Sequence, residues 1–283
     1  MSVSFDDAAV ERASQGLKLA LPRTPHRGRV GDVRSASVGA SMEIHDFRGY
    51  QPGDDLRQID WNAVARTGEL ILRVRQDEVA PRVEVVLDAS RSMDVSARKA
   101  ARACEVALLL CRVAAGQGLE PTLTVVGRAP QRTLGNACHS ALKALELDGQ
   151  DGLAEGLSRA PPLRPCGFRA VVSDFLFEAP LERLAERLAR GAATLAWVQL
   201  LDAEDLDPAG GYGARLIDAE SGAALERILS AAVLRSYQRR LEEHQKAVRA
   251  AAHRVRATFV TSSVELEIQA LVRTALGPLM ETG

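Results

Sequence analysis

The strongest indication of the fold class is the run Val85-Val86-Leu87-Asp88-Ala89-Ser90-Arg91-Ser92-Met93, in which an apolar, β-like stretch stops abruptly at an acid. Two hydroxyl side chains, Ser90 and Ser92, follow at alternate positions. A buried strand places Asp88 at the carboxyl edge of a sheet, and the turn after it can point both hydroxyls at the same spot. Carboxylate and hydroxyl oxygens are ligands of hard divalent cations. The run therefore predicts a central strand with a candidate Mg²⁺ site at its end.

A second strand ends in the same way. Residues 168–172, which are apolar except for Arg169, are predicted to form a second central strand that stops at Ser173-Asp174. From residue 83 onward strand-like and helix-like patterns alternate, which is typical of a mostly parallel sheet with helices on both faces. Because the carboxyl ends of central strands converge in such a sheet, we expect Asp174 to approach the ion held by Asp88. The predicted fold class is α/β, doubly wound.

The segment before residue 83 differs in kind, since it has few long apolar runs and is punctuated by glycines at residues 28, 31, 39, 49, 53 and 68. We expect residues 1–82 to form an irregular or β appendage and residues 83–283 to form the α/β domain. Within that domain, residues 225–254 show helical periodicity for most of their length.

Composition limits the partners. Lys and Arg number 36 and Asp and Glu number 37, so the formal net charge is -1. Without a large uncompensated field, binding to nucleic acid is not expected. No apolar run reaches the length of a membrane span or a signal peptide, and the four cysteines lack the close pairs of zinc sites. We expect a cytoplasmic protein without membrane insertion, whose cysteines are reduced packing residues.

A charge-rich turn dominates residues 48–66. Pro52-Gly53 fixes the turn, because proline presets φ and glycine accepts a positive φ. Arginine forks can hold carboxylates bidentately, with aromatic rings covering the pairs. The predicted members are Arg48, Tyr50, Asp54, Asp55, Arg57, Asp60, Trp61 and Arg66. The pattern predicts a segment that locks one geometry, either as an interface or as an internal brace.

The set Asp88, Ser90, Ser92 and Asp174 resembles the metal-ion-dependent adhesion site of the von Willebrand factor A fold. The resemblance implies a von Willebrand factor A-like sheet and Mg²⁺ as its ion. In that family a middle loop normally offers a Thr. Residues 147–153 of this chain contain no Thr, so that ligand is absent or is replaced by Asp148 or Asp151.

The string from Arg48 to Arg66 closely resembles the signature of the bacterial family DUF58, which stands ahead of a von Willebrand factor A-like domain. Members are commonly encoded beside MoxR-type AAA+ ATPases, and the resemblance implies an adaptor for such an ATPase. This chain contains no Gly-x-x-x-x-Gly-Lys-Ser/Thr phosphate loop, so it is not expected to be the motor itself.

Three functions compete. The first is a non-enzymatic binding module, in which the bound ion completes its shell with an acidic residue of a client protein. The second is a metal-dependent phosphohydrolase with Asp88 as nucleophile, although Ser90 occupies the position where such enzymes need a general acid. The third is a metal-free scaffold, whose acids cap helices or pair with arginines.

Overall fold

The structure is a computed structural model, and it describes residues 3–21, 44–50, 59–75, 82–208, 211–219 and 222–282. The chain divides into two compact units, residues 25–80 and a larger unit formed by residues 1–24 and 81–283. This division falls two residues from the predicted boundary after residue 82, but it assigns the first 24 residues to the larger unit. The reason is that the first helix packs against the central helix of that unit, with Val10 fully buried.

The elements have the following bounds. The strands are β1 (Leu17–Leu19), β2 (Ile44–Gly49), β3 (Ile71–Arg75), β4 (Val83–Asp88), β5 (Pro121–Val126), β6 (Gln131–Leu134), β7 (Cys166–Ser173), β8 (Ala192–Leu201), β9 (Gly211–Ile217), β10 (Ala224–Leu229), β11 (Thr258–Ser263) and β12 (Met280–Thr282). The α-helices are α1 (Asp7–Ser14), α2 (Trp61–Thr67), α3 (Ala97–Gly116), α4 (Ala137–Lys143), α5 (Leu153–Arg159), α6 (Leu181–Ala189), α7 (Ala203–Leu206), α8 (Ala231–Arg254) and α9 (Ile268–Arg273).

Within the described residues, the main sheet has six strands in the order β11-β8-β7-β4-β5-β6. The first five are parallel, and only the short edge strand β6 is antiparallel. The predicted fold class, a doubly wound and mostly parallel sheet of the von Willebrand factor A-like type, is confirmed. In-register pairing of β4 with β5 and β7 brings the ends of these strands to one edge. That edge carries both predicted acids.

The core lies on both faces of this sheet. Val85 and Leu87 of β4 belong to the apolar cluster on one face, which the Ala/Leu-rich helix α3 covers. Val86 points to the opposite cluster, where Trp197 and residues of α5, α6 and α8 pack. All six residues of β4 are buried, as expected for a central strand of a parallel sheet. Both clusters support the strand that ends at Asp88.

Residues 225–229 are not helical, contrary to the sequence prediction. They belong to β10, which pairs with β9 as an antiparallel hairpin, and α8 begins only at Ala231. Two local features explain the difference. Gly222, at φ +72°, donates to the Asp218 carbonyl in the turn, and Ser230 caps the helix by accepting from the amide of Val233. The short strand β6 was also missed, because its residues are polar or half-exposed.

The smaller unit contains the hairpin β2–β3 and helix α2. Asp60 caps α2 by accepting hydrogen bonds from the amides of Asn62 (3.0 Å) and Ala63 (3.3 Å). Gly68 ends the helix in the left-handed conformation, which glycine adopts without steric cost. The helix position is thus fixed by local signals at both ends.

Candidate site at the carboxyl edge of the sheet

Asp88 ends β4 and is completely buried. Its Oδ1 atom accepts a hydrogen bond from the amide of Ser90 at 3.0 Å, and its Oδ2 atom accepts from the Ser173 hydroxyl at 2.7 Å. The first contact is the local turn that Asp favours after a strand, and the second ties the end of β4 to the end of β7. Both carboxylate oxygens therefore have a neutral donor.

Ser90 and Ser92 follow as predicted, and their Oγ atoms lie 3.0 Å apart. The backbone around Ser90 is held by the loop after α4, because Arg91 donates its amide to the Gly149 carbonyl (2.9 Å) and Gly149 donates to the Ala89 carbonyl (3.0 Å). A side chain at Gly149 would meet the Ala89 carbonyl oxygen at 2.9 Å, so the approach requires glycine. The hydroxyl pair is thus fixed between two loops.

Asp174 is also completely buried, but its partner is a cation. Its Oδ2 atom lies 2.8 Å from Nζ of Lys99, which α3 supplies. Lys99 Nζ also donates to Oδ2 of Asp205 at 2.8 Å. The side chains of Lys99 and Asp174 are 1% and 0% exposed, so this ion pair is shielded from water. The two predicted acids therefore differ: Asp174 has an ionic partner, and Asp88 has hydrogen bonds from a hydroxyl and an amide.

The backbone next to Asp174 is held in an unusual conformation. Phe175 has a positive φ of 53°, which is uncommon for a residue with a bulky side chain. Its ring stacks on Trp197 with centroids 4.9 Å apart, and its carbonyl lies 2.6 Å from Nε2 of His244 on α8. Gln199 donates to the Asp174 carbonyl at 2.9 Å. These contacts from β8 and α8 fix the direction of the Asp174 side chain.

A second acidic pair lies at the start of α7. Asp202 and Asp205 form a capping box, in which Asp205 Oδ2 accepts the Asp202 amide at 2.9 Å. The Asp202 carboxylate accepts from the hydroxyl of Ser96, the residue that caps α3. Helices α3 and α7 are therefore joined at their amino ends through Ser96, Lys99 and the two acids.

The electrostatics follow from these contacts. Burial, and secondly the charge of Asp174, raise the pKa of Asp88 from 3.8 to about 7, although hydrogen bonds from Ser173 and Ser90 oppose the shift. Burial alone would lower the pKa of Lys99, but the charges of Asp174 and Asp205 outweigh it and raise that pKa. For Asp202, burial is outweighed by the hydrogen bonds from Ser96 and from backbone amides, which lower its pKa.

The residues fit a divalent ion only in part. Asp88, Ser90 and Ser92 are oxygen donors of the right chemistry, but the Asp174 carboxylate binds Lys99. In the part of the chain that the structure describes, no group of three or more His, Cys, Asp or Glu side chains is placed to hold a metal. As arranged, the set does not make a complete Mg²⁺ site, so the predicted ion stays a prediction.

The two candidate replacements for the middle-loop Thr lie in different surroundings. Asp151 forms an ion pair with Arg159 of α5. Asp148 lines a surface recess together with Arg91 and Asp94. The residue that the structure brings against Ser90 is the intervening Gly149, through its backbone. These contacts do not make either acid a metal ligand, so that role stays a prediction.

The signature of residues 48–66 is described only in part. Asp60 is the cap of α2, Arg66 donates from Nε to the Asn62 carbonyl at 3.2 Å, and Trp61 is 65% exposed. Tyr50 donates its amide to the Leu70 carbonyl. Outside the described residues lie the side chain of Arg48 and all of Pro52, Gly53, Asp54, Asp55 and Arg57. The interface and the internal brace both stay predictions for this segment.

The site residues that were not predicted include Lys99, Ser173 and Asp205. Ser173 directly precedes the predicted ligand Asp174 and was not itself predicted to be a ligand. Lys99 carried a usable signal, because it lies on the same helical face as the buried residues Ala103 and Val106. A lysine on the buried face of a helix is rare unless an anion meets it.

The fold and this edge define an α/β protein of the von Willebrand factor A-like type, with acids and hydroxyls at the ends of neighbouring strands. Within that class the chain belongs to the family described as "Protein of unknown function DUF58", whose model matches residues 46–247. The family that the sequence signature resembled is thus confirmed.

Similar proteins come from mycobacteria. The uncharacterized proteins Mb1516 of Mycobacterium bovis and Rv1480 of Mycobacterium tuberculosis H37Rv are each 26% identical over 257 residues, covering 85% of this chain and 80% of theirs.

Solved structures with similarity are BatB from Bacteroides thetaiotaomicron and an aerotolerance-related membrane protein from Bacteroides fragilis. They share 13% and 14% identity with this chain at TM-scores of 0.31 and 0.30, and each covers 62% of this chain and 98% of its own. In the described residues of this chain, no helix has both the length and the apolar character needed to cross a bilayer.

Proposed function

We propose that this chain is a non-enzymatic protein-binding module that works as an adaptor of a MoxR-type AAA+ ATPase. Four free, buried cysteines support a reducing compartment, and we propose the cytoplasm as the location. The family resemblance implies the class of partner, an AAA+ ATPase. The contacts and exposure of the described residues support the surface that we propose would bind it. The observation that carries the proposal is a surface recess next to Ser90 and Ser92, with exposed apolar side chains on its rim.

The recess has a volume of about 470 Å³. Val95, which follows the Ser92 turn, and Ile217, at the end of β9, line it and are 55% and 61% exposed. Large apolar side chains exposed around one recess are typical of protein interaction sites. Their position beside the carboxyl edge of the sheet, where α/β proteins bind ligands, supports this surface as the contact.

The charge of the recess indicates the chemistry of the partner. Asp94, Glu146 and Asp148 contribute three acids to its lining, against one cation, Arg91. A partner segment with a basic side chain next to an apolar one complements this lining. We therefore propose that the ATPase presents such a segment. A client carboxylate on a shared Mg²⁺ ion, which the sequence predicted, is the alternative mode of binding.

A phosphohydrolase is less compatible with the site. Asp88 is 0% exposed, and both of its oxygens accept hydrogen bonds from neighbouring residues. A nucleophile must reach a substrate phosphorus at about 3 to 3.5 Å, which this burial prevents without movement of the loop. The hydroxyl of Ser90, at the general-acid position, is too weak an acid for proton transfer near neutral pH. Turnover of a generic phosphate ester that Asp88→Asn abolishes would favour the enzyme instead.

The test is direct binding between this protein and a purified MoxR-type ATPase from the same bacterium, measured by biolayer interferometry. We expect Ile217→Asp and Val95→Asp each to weaken binding about tenfold or more, since charge in an apolar contact is strongly unfavourable. Leu134→Asp is the matched control, because Leu134 is 46% exposed on β6 but does not line the recess.

Binding that is absent for the unmodified protein, or equal for all three variants, contradicts the proposed surface. The measurement is repeated in excess EDTA and in excess MgCl₂. Loss of binding in EDTA alone would indicate the shared-ion mode in place of the recess.

A further inference from the structure

We infer that the ammonium group of Lys99 is the resident cation of the carboxyl edge and takes the place of the divalent ion predicted there from the sequence. The inference rests on the position of Lys99 in its helix and on its contacts, which also occupy the Asp174 oxygen that an ion would need.

The position of Lys99 is electrostatically unfavourable without an anion. It is the third residue of α3, in the first turn of a 20-residue helix, and its backbone amide donates a hydrogen bond to Oγ of the capping residue Ser96 at 3.0 Å. The amino end of a helix carries partial positive charge, so a cation there is disfavoured. Lys99 is also completely buried, which adds the cost of desolvation. Nearby carboxylates must offset both costs.

Two carboxylates meet Lys99 directly. Its Nζ atom lies 2.8 Å from Oδ2 of Asp174 and 2.8 Å from Oδ2 of Asp205. The three residues come from α3, from the end of β7 and from α7. The ammonium therefore does what a bound ion would do at this edge: it joins acids from separate elements and offsets part of their negative charge at a largely buried position.

The same contacts oppose a direct bond between Asp174 and Mg²⁺. The ion requires oxygen at about 2.0 to 2.1 Å in nearly octahedral geometry. Oδ2 of Asp174 is taken by the ammonium, and Oδ1 accepts the Leu176 amide at 3.0 Å. A divalent ion at Oδ2 would face a second cation a few ångströms away, so the enclosed Lys99 side chain would have to leave. Lys99 and a metal are alternatives at this position.

The inference has a consequence for binding that rests on the proposed function. A site with a built-in cation needs no metal to hold Asp174, Asp205 and the start of α3 in place. The rim that carries Val95 is attached to the same start of α3 through Ser96. The binding surface is therefore expected to be preorganised in the absence of divalent ions.

The experiment measures thermal unfolding of metal-stripped protein with and without MgCl₂, and so is independent of any partner. We expect MgCl₂ to change the Tm of the unmodified protein no more than it changes the Tm of Asp88→Asn. For Lys99→Met we expect a Tm lower by roughly 10 °C in EDTA, because a buried carboxylate loses its partner. We also expect MgCl₂ to restore part of this loss, since the ion can then reach Asp174.

Two further variants complete the design. In Lys99→Met/Asp174→Asn both charges are absent, so we expect a Tm above that of Lys99→Met and no change of Tm with MgCl₂. If Lys99→Met does not fold, this double variant replaces it in the comparison. Lys246→Met removes an exposed lysine of α8 and should leave Tm unchanged.

Two results would overturn the inference. One is a saturable rise in the Tm of the unmodified protein with MgCl₂ that Asp174→Asn abolishes. The other is a Lys99→Met variant that unfolds at the temperature of the unmodified protein. Neither result bears on whether the recess binds an ATPase, and failure of that binding leaves the melting measurements unaffected.

Discussion

Arg169 on β7 lies directly opposite Glu84 on β4, and its Nε atom donates to Glu84 Oε2 at 2.9 Å. Arg169 is completely buried and Glu84 is 2% exposed. The guanidinium also donates to the carbonyls of Arg164 (2.6 Å) and Arg190 (3.0 Å), which lie before β7 and after α6. The pair therefore fastens the two central strands to the loops at the end of the sheet opposite the candidate site.

We expect Glu84→Gln to lower the free energy of unfolding by about 3 kcal/mol, because it leaves the buried Arg169 charge without its counter-charge. Urea unfolding followed by circular dichroism measures the change. Glu182→Gln is the control, since Glu182 pairs with Arg254 on the surface, where both side chains are more than half exposed. That variant should change the free energy of unfolding by less than about 1 kcal/mol. Equal losses in both variants would contradict the role of burial.

Asp88 should make stability depend on pH. Its pKa in the folded protein is about 7, above the ordinary value of 3.8, so between these values the folded state holds a proton that the unfolded state has lost. The contribution of Asp88 to the free energy of unfolding therefore falls as pH rises from about 4 to about 7. The loss is complete above the folded-state pKa.

Asp88→Asn removes this dependence and preserves hydrogen bonding, because the Asn carbonyl can accept the Ser90 amide and its amide group can contact the Ser173 hydroxyl. We expect the variant to gain stability relative to the unmodified protein between pH 5 and pH 8, measured by urea unfolding in EDTA. Parallel stability curves over this range would show that Asp88 has an ordinary pKa in the folded protein.

Gly149 controls the approach of the loop after α4 to Ser90. In Gly149→Ala the new Cβ would lie 2.9 Å from the Ala89 carbonyl oxygen and 3.1 Å from Ser90 Cα, both backbone atoms that cannot move independently. We expect a loss of about 1 to 3 kcal/mol in the free energy of unfolding, which is typical of overpacking. Gly116→Ala is the matched control, because a Cβ there has no neighbour within 4 Å. A Gly149→Ala variant as stable as Gly116→Ala would exclude the close approach.

The sequence predicted the parts of the structure that depend on local pattern. The strand before Asp88, the turn to Ser90 and the helix over α3 follow from apolar runs, turn residues and periodicity within a few residues. The end of β7 at Asp174 followed in the same way, since parallel strands converge at one edge.

The ion pairs of Lys99 could not be predicted from local sequence patterns. Its partners Asp174 and Asp205 lie 75 and 106 residues further along the chain, and the choice between them and a metal depends on packing of three separate elements. Residues 225–229 were mispredicted because the apolar spacing continues into α8, and their strand conformation comes from pairing with β9. Long-range contacts therefore decide both the chemistry of the site and this hairpin.

Trp61 offers a test of the signature in the smaller unit. It begins α2 and is 65% exposed, so truncating its side chain removes few packing contacts within the chain. We expect Trp61→Ala to change the free energy of unfolding by less than about 0.5 kcal/mol, as for surface substitutions in general. Exposed tryptophans are frequent energetic centres of protein interfaces, so the same variant should weaken binding to the ATPase about tenfold or more.

Asp60→Ala is the informative comparison for Trp61→Ala. It removes the cap of α2, so it should lower stability by about 1 kcal/mol and affect binding only through that loss. Unfolding and interferometry on both variants separate the two readings of the segment. Reduced binding with unchanged stability for Trp61→Ala indicates an interface, because only a contact with another molecule uses the exposed ring. Reduced stability with unchanged binding indicates an internal brace, because the ring must then pack within the chain.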